Sequence, residues 1–172
     1  MLFRSGLTTP GQTGLSHITF CYDVEAKLTV IKQVVNDNGG TAAANAWTMN
    51  VAGPTPLTFP GAASPGTTNT VDPGSYTITE SGGPSGYTLT YSGDCDSSGN
   101  VTVPAFHERI CTLTNNDQPA HLIVRKVVVN DHGGTKTAGD FSFSVNGGGA
   151  QAFEADGQNN LTVNAGTYSV TE

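Results

Sequence analysis

The chain has 172 residues, a formal net charge of −7 and only 12% charged residues, and it contains 22 glycines and 9 prolines. This composition argues against long helices and favours short strands joined by turns. The acidic balance leaves no basic footprint for a nucleic-acid partner. No apolar run approaches the roughly 18 residues of a membrane helix, so we expect no membrane insertion in this segment.

The two ends of the sequence indicate a piece of a longer protein. Residues 1–14 contain no secretory signal pattern, and Glu172 falls inside a predicted strand. We therefore predict three parts. Residues 1–25 are a leader and the end of an upstream domain, residues 26–118 are a complete module, and residues 119–172 are a truncated second module.

An internal repeat supports this division. Residues 28–51 align without a gap to residues 122–145, with 12 of 24 positions identical, and GSYTITE at 74–80 matches GTYSVTE at 166–172. Each copy contains short runs with period-two alternation, separated by glycine-rich turns. Seven or so strands suit a sandwich. The predicted fold class is all-β, with tandem Ig-like antiparallel β-sandwich modules of which the second is truncated.

The first strand of each copy has a lysine on its more apolar face. Successive side chains of a strand point to opposite faces, so Lys32 falls on the same face as Leu28, Val30 and Val34. Lys126 takes the equivalent position in the second copy. In the aromatic positions that follow, Trp47 and Phe141 are predicted to occupy equivalent places in the two cores.

Two more polar side chains fall on inner faces by the same alternation. Glu80 shares its face with Tyr76 and Ile78, and Glu172 takes its place in the second copy. In the closing strand of the first module, Asn115 falls on the inner face. A buried lysine, carboxyl and amide would each be costly alone, because buried charges and unpaired polar groups are strongly disfavoured.

Buried together, these three groups can react. Burial lowers the pKa of a lysine and raises that of a carboxyl, which gives a neutral amine beside a protonated acid. Attack of the Lys32 amine on the Asn115 side-chain carbonyl, with Glu80 carrying protons, would expel ammonia and leave an intramolecular isopeptide bond. In the alternative interpretation Lys32 snorkels from a strand end, Glu80 caps a turn and Asn115 belongs to a turn. A strand shifted by one residue would make Asn116 the acceptor.

The motifs around these residues resemble a known family. LTVIK at 28–32 opens the module, ITESGGPSGYTL at 78–89 contains the glutamate, and CTLTNND at 111–117 closes it. They resemble the prealbumin-like domains of Gram-positive surface proteins, namely the collagen-adhesin B-type and SpaA-type pilin modules. The resemblance implies a prealbumin-like sandwich.

In that family a lysine, an asparagine and an acid form such a bond. The resemblance carries these roles onto Lys32, Asn115 and Glu80. Lys126 and Glu172 are present in the second copy, but no acceptor asparagine follows them in this sequence.

The resemblance implies a structural stalk or pilin-like repeat in a secreted or cell-wall-attached bacterial surface protein. Its partners would be neighbouring repeats of the same chain. The alternative is an adhesin module that binds a host extracellular protein or a glycan, through aromatic residues such as Tyr87 and Tyr91, which share a face with Leu89. No nucleophile, base and orienting residue converge as an enzyme would need, and no cofactor is expected.

The three cysteines contain no CxxC pattern. Cys95 and Cys111 flank the last hairpin of the complete module, so we predict a disulfide between them in an oxidising compartment, with reduced core cysteines as the alternative. Cys21 is assigned to the upstream domain, with its partner outside this sequence. The residues from Asp94 imitate a calcium loop, but Ala105 stands where its final glutamate is needed, so no metal site is predicted.

Overall fold

The structure is a computed structural model that describes residues 24–172 of the chain. Cys21 and nearly all of the predicted upstream segment lie outside the described residues. Within residues 24–172 the regular elements are strands, apart from two 3-10 turns at Ala44–Ala46 and Ala138–Asp140. None of the helical segments in this range is long and apolar enough to cross a membrane.

Eight strands form the first module. They are β1 (Ala26–Val35), β2 (Trp47–Ala52), β3 (Leu57–Pro60), β4 (Thr67–Val71), β5 (Gly74–Gly82), β6 (Tyr87–Gly93), β7 (Asn100–Val103) and β8 (Glu108–Asp117). One sheet has the order β4-β1-β8-β6 and the other the order β3-β2-β5-β7. Both sheets contribute to a single buried hydrophobic core, which includes Leu28, Val30, Leu113, Met49, Tyr76 and Ile78. The predicted all-β sandwich is confirmed.

The first and last strands of this module are neighbours and run parallel, with residues 27–35 opposite residues 108–116. The other eight pairings among the described strands are antiparallel, as predicted. A parallel pair cannot be joined by a tight hairpin and needs a long connection. Here the whole module is that connection, so any bond between β1 and β8 joins its two ends.

Cys95 and Cys111 form the predicted disulfide, with their Cα atoms 5.3 Å apart. Cys111 lies in β8 and is completely buried, while Cys95 lies in the turn that follows β6. The bond ties the connection between β6 and β7 to the closing strand.

The second module contains five strands in the described range. They are β9 (Ala120–Arg125), β10 (Ser142–Val145), β11 (Gln151–Ala152), β12 (Gln158–Val163) and β13 (Val170–Thr171). β9 pairs with β12 as β1 pairs with β4, and β10 pairs with β13 as β2 pairs with β5. Leu122 stands opposite Leu161, as Leu28 stands opposite Asn69. The two copies therefore have the same register as well as the same sequence pattern.

The strand that opens the second module is shorter than its alignment with β1 predicts. In the first module β4 pairs only with residues 26–30, and the rest of β1 pairs with β8 alone. No strand equivalent to β8 occurs in the described part of the second module, and β9 ends at Arg125 where its pairing with β12 ends. Val127 and Val129 beyond it are 80% and 73% exposed. Phe141 is likewise only half-buried, whereas Trp47 is buried, so their burial is not equivalent.

Candidate cross-linking site

Lys32 lies on the inner face of β1 and is completely buried, as its alternation with Leu28 and Val30 predicts. Its ammonium nitrogen lies 4.7 Å from the centroid of the Trp47 ring and donates a 2.7 Å hydrogen bond to Glu80 Oε2. Burial lowers the pKa of the Lys32 amine, although the hydrogen bond and the negative charge of Glu80 act in the opposite direction. The neutral, nucleophilic form of the Lys32 amine is therefore easier to reach here than it is for a lysine in water.

Glu80 joins the lysine to the predicted acceptor. Its Oε2 atom accepts from Lys32, and its Oε1 atom accepts from Asn115 Nδ2 at 2.6 Å. The side chain of Glu80 is 10% exposed, while Asn115 is 2% exposed. One carboxylate therefore holds both candidate reaction partners in a nearly water-free place.

The two sheets supply different members of this group. Lys32 and Asn115 come from the parallel neighbours β1 and β8, where Lys32 stands opposite Leu113 and Asn115 stands opposite Val34. They are therefore one diagonal step apart on the same face. Glu80 comes from β5 in the opposite sheet, so its carboxylate reaches both of them across the core.

The carbonyl oxygen of the Asn115 side chain is buried and has no hydrogen-bond partner among the described residues. A buried acceptor without a donor is costly, and it is the oxygen that a proton donor must reach if the amide is to be attacked. Asn116 is only half-buried and occupies the alternate position of β8, away from the inner face. The geometry brings Asn115, and not Asn116, to Glu80.

The second module repeats half of this arrangement. Lys126 donates to both carboxylate oxygens of Glu172, at 2.6 and 2.8 Å, and its nitrogen lies 4.0 Å from the centroid of the Phe141 ring. The side chains of Lys126 and Glu172 are 17% and 47% exposed, so this pair is far less protected from water than Lys32 and Glu80. Among the described residues no asparagine takes the place of Asn115.

Comparisons with known proteins agree with this repeated architecture. The sequence profile of the prealbumin-like fold domain matches residues 23–113 and again residues 117–172. The chain belongs to the prealbumin-like fold domain family. The resemblance inferred from the sequence motifs is confirmed.

A comparison of the chain with curated proteins finds no match. Among solved structures it is similar to the Bacillus anthracis TIE protein, with a TM-score of 0.58 and 17% sequence identity. The similarity covers 86% of this chain and 28% of the TIE chain. At this level of identity the likeness concerns the fold alone.

Three residues of the prealbumin-like site were not predicted from the sequence. Trp47 was assigned to the core, but its contact with Lys32 was not foreseen. Gly61 is buried against the lysine, since a Cβ there would clash with the Ala44 carbonyl oxygen and lie 3.0 Å from Lys32 Cγ. Tyr91 lies near Glu80, and burial, followed by the negative charge of Glu80, raises the pKa of its phenol. For Gly61, the sequence signal was a Pro-Gly pair where β3 ends at Pro60.

The aromatic face considered for ligand binding packs against the core of the prealbumin-like module. Tyr87, Leu89 and Tyr91 are half-buried and contact the main hydrophobic cluster. The ring of Tyr87 meets the ring of Trp47 edge-on, with centroids 5.2 Å apart. This face therefore gives the adhesin alternative no exposed aromatic platform.

The residues that imitate a calcium loop form a turn. The Asp96 carboxylate accepts hydrogen bonds from the backbone N–H groups of Ser98 and Asn100, at 2.9 and 2.8 Å. The hydrogen bonds from the backbone and side chain of Asn100, followed by that from Ser98, lower the pKa of Asp96. Asp94 accepts from the backbone N–H of Ile110 at 2.8 Å. Asp96 thus fixes the turn that leads into β7, and Asp94 fixes the first part of β8. Residues 24–172 contain no cluster of metal-ligating side chains.

Proposed function

We propose that this chain is a stalk or pilin-like structural repeat of a bacterial surface protein, and that an isopeptide bond between Lys32 and Asn115 closes its first module. The observation that carries the proposal is the binding of both side chains to the single carboxylate of Glu80. Membership of the prealbumin-like family supports the structural role. The disulfide between Cys95 and Cys111 supports an extracellular location, because thiols stay reduced in the cytosol.

The chemistry follows from the two hydrogen bonds of Glu80. Oε2 takes a proton from Lys32, and the neutral Nζ attacks Cγ of Asn115. A bond forms between Nζ and Cγ while the bond between Cγ and Nδ2 breaks. As the tetrahedral carbon collapses, Nζ gives up a second proton to Glu80. Glu80 passes both protons through Oε1 to Nδ2, which leaves as an ammonium ion, so the chain loses the mass of one ammonia. The glutamate ends in its original state, and the reaction runs once in each molecule, so it is not enzymatic turnover.

The position of the bond explains its use in a stalk. Lys32 and Asn115 are 115 − 32 = 83 positions apart in the sequence, on the first and last strands of the module. Tension applied to the ends of the module passes through the covalent bond and bypasses the sheets. By analogy with disulfides that close long loops, the cross-link is expected to stabilise the folded state by about 4 to 5 kcal/mol.

The intact mass of the purified 172-residue chain, measured after reduction of its disulfide, tests the bond directly. We expect the wild-type chain to have lost one ammonia, and the variants Lys32→Ala, Glu80→Ala and Asn115→Ala to have the full mass calculated from their sequences. Asn116→Ala is the matched control, because Asn116 neighbours the acceptor but lies away from the inner face, and it should lose ammonia as the wild type does. A wild-type chain with its full calculated mass would reject the cross-link.

Pulling on the chain tests the stalk role separately. When the disulfide is reduced, the first module of the Asn115→Ala variant should unfold and release the 83 residues between the cross-link positions, about 280 Å of extended chain. The wild-type module should not release this length, because the bond carries the force. Equal extensions of the two proteins in a single-molecule force experiment would contradict a tension-bearing role.

A further inference from the structure

The two modules make a direct contact with each other that the cross-link does not explain. Only Gln118 and Pro119 separate β8 from β9. The loop of residues 36–40 in the first module meets the turn of residues 164–166 in the second. The backbone N–H of Ala165 donates a 2.7 Å hydrogen bond to the Asn38 carbonyl oxygen.

The first module holds this loop in one conformation. Asp117, at the end of β8, accepts hydrogen bonds from the backbone N–H groups of Asp37, Asn38 and Gly40, at 2.9, 2.9 and 2.6 Å. The Asn38 side chain in turn donates to the backbone carbonyl of Asp117 at 3.1 Å. Burial raises the pKa of Asp117, but the N–H donors outweigh it, and the carboxyl has a lowered pKa. Asp117 therefore stays ionised and keeps the Asn38 carbonyl directed at the second module.

Gly39 gives the second module room to approach. A Cβ at this position would lie 2.5 Å from the Ala165 carbonyl oxygen and 3.0 Å from its backbone nitrogen. The φ angle of Gly39 is +88°, a conformation that side chains disfavour. Glycine is thus needed here both for the shape of the loop and for close contact with the neighbouring module.

The linker is also attached to the first module. The backbone N–H of Gln118 donates to the Gly86 carbonyl at 2.8 Å, and its side-chain nitrogen donates to the Asn116 carbonyl at 3.1 Å. Pro119 has a fixed φ angle. A short, attached linker keeps Ala165 near Asn38 and makes their hydrogen bond an intramolecular one with a high effective concentration.

We propose that residues 36–40 are a docking surface for the following module of the same chain, which binds through the N–H of Ala165 and sets a fixed angle between the modules. The second module has the same loop at residues 130–134. There Asn130 Nδ2 donates to the Lys136 carbonyl at 2.8 Å, as Asn36 Nδ2 donates to the Ala42 carbonyl at 3.0 Å. The proposal concerns the junction and is independent of the isopeptide bond.

The repeat itself provides a variant that tests the junction without disturbing the fold. Pro73 stands in the first module where Ala165 stands in the second. The two turns share a hydrogen bond, since Tyr76 and Tyr168 donate to the carbonyls of Asp72 and Asn164 at 2.6 and 2.7 Å. Ala165→Pro should therefore keep the turn, remove the donor to Asn38 and place a ring against Gly39. Ala165→Ser, which keeps the N–H, is the matched control.

Residual dipolar couplings of the isotopically labelled chain measure the angle directly. We expect one alignment tensor to fit both modules of the wild type and of Ala165→Ser. In Ala165→Pro the second module should need its own tensor of smaller magnitude, while its chemical shifts away from the turn stay unchanged. Separate tensors in the wild type, or a single shared tensor in Ala165→Pro, would overturn the proposal. Because intact mass reports the isopeptide bond separately, failure of either proposal is recognised without reference to the other.

Discussion

Replacing Glu80 by alanine is expected to lower the free energy of unfolding of the first module by about 3 to 5 kcal/mol, even where no cross-link can form. Lys32 is completely buried, and Glu80 is the only carboxylate that it contacts in the described structure. Removing one partner of a buried ion pair leaves an uncompensated charge, which is the costly outcome. The comparison is made between Asn115→Ala and the double variant Glu80→Ala/Asn115→Ala, so that the isopeptide bond is absent from both.

Urea unfolding followed by tryptophan fluorescence measures this difference. Trp47 is the single tryptophan of the chain and lies against Lys32, so it reports on the first module alone. Adding Lys32→Met to the double variant removes the buried charge and should recover part of the lost stability, because an apolar side chain of similar volume is tolerated there. Equal midpoints for Asn115→Ala and the double variant would contradict a stabilising ion pair.

The cost of losing Glu80 should also depend on pH. Without the carboxylate, burial still lowers the pKa of Lys32 from its ordinary value of 10.5, and the opposing effects of Glu80 are gone. Between the folded-state pKa and 10.5 the unfolded chain binds more protons than the folded chain, so the stability of the double variant rises with pH. The destabilisation should therefore be largest near neutral pH and shrink as the pH approaches 10.5.

Period-two alternation was sufficient to place the three candidate cross-linking residues on inner faces. Lys32, Glu80 and Asn115 each follow buried apolar residues at two-residue intervals. The same alternation separated Asn115 from Asn116. The repeat predicted the second copy of the pair, Lys126 with Glu172, because both strands recur with the same pattern.

Alternation does not reveal which strands are neighbours. It assigns a face to each residue, but the parallel pairing of β1 with β8 depends on contacts between residues at opposite ends of the module. The meeting of Lys32 with Trp47, and the need for Gly61 beside the lysine, depend on how the sheets pack. The early end of β9 also depends on strand neighbours. The sequence of residues 122–129 is as strand-like as that of β1, but the described structure has no strand equivalent to β8 beside residues 126–129.

Removing the disulfide should lower the stability of the first module by about 3 kcal/mol. Cys95 and Cys111 close a loop of 16 residues, and a loop of that length restricts the unfolded chain by roughly this amount. Cys111, on β8, stands opposite Val30 of β1. The bond therefore anchors the strand that holds Asn115 at a point well inside the core.

The double variant Cys95→Ala/Cys111→Ala and chemical reduction of the wild type should give similar losses, measured by urea unfolding with Trp47 as the reporter. Both measurements belong in the Asn115→Ala background, where the isopeptide bond cannot mask the effect. Reductant should leave the double variant unchanged, because in the described residues Cys95 and Cys111 form the disulfide that it would attack. A midpoint of the disulfide-containing protein that does not move with reductant would mean that the sheets alone hold β8 in place.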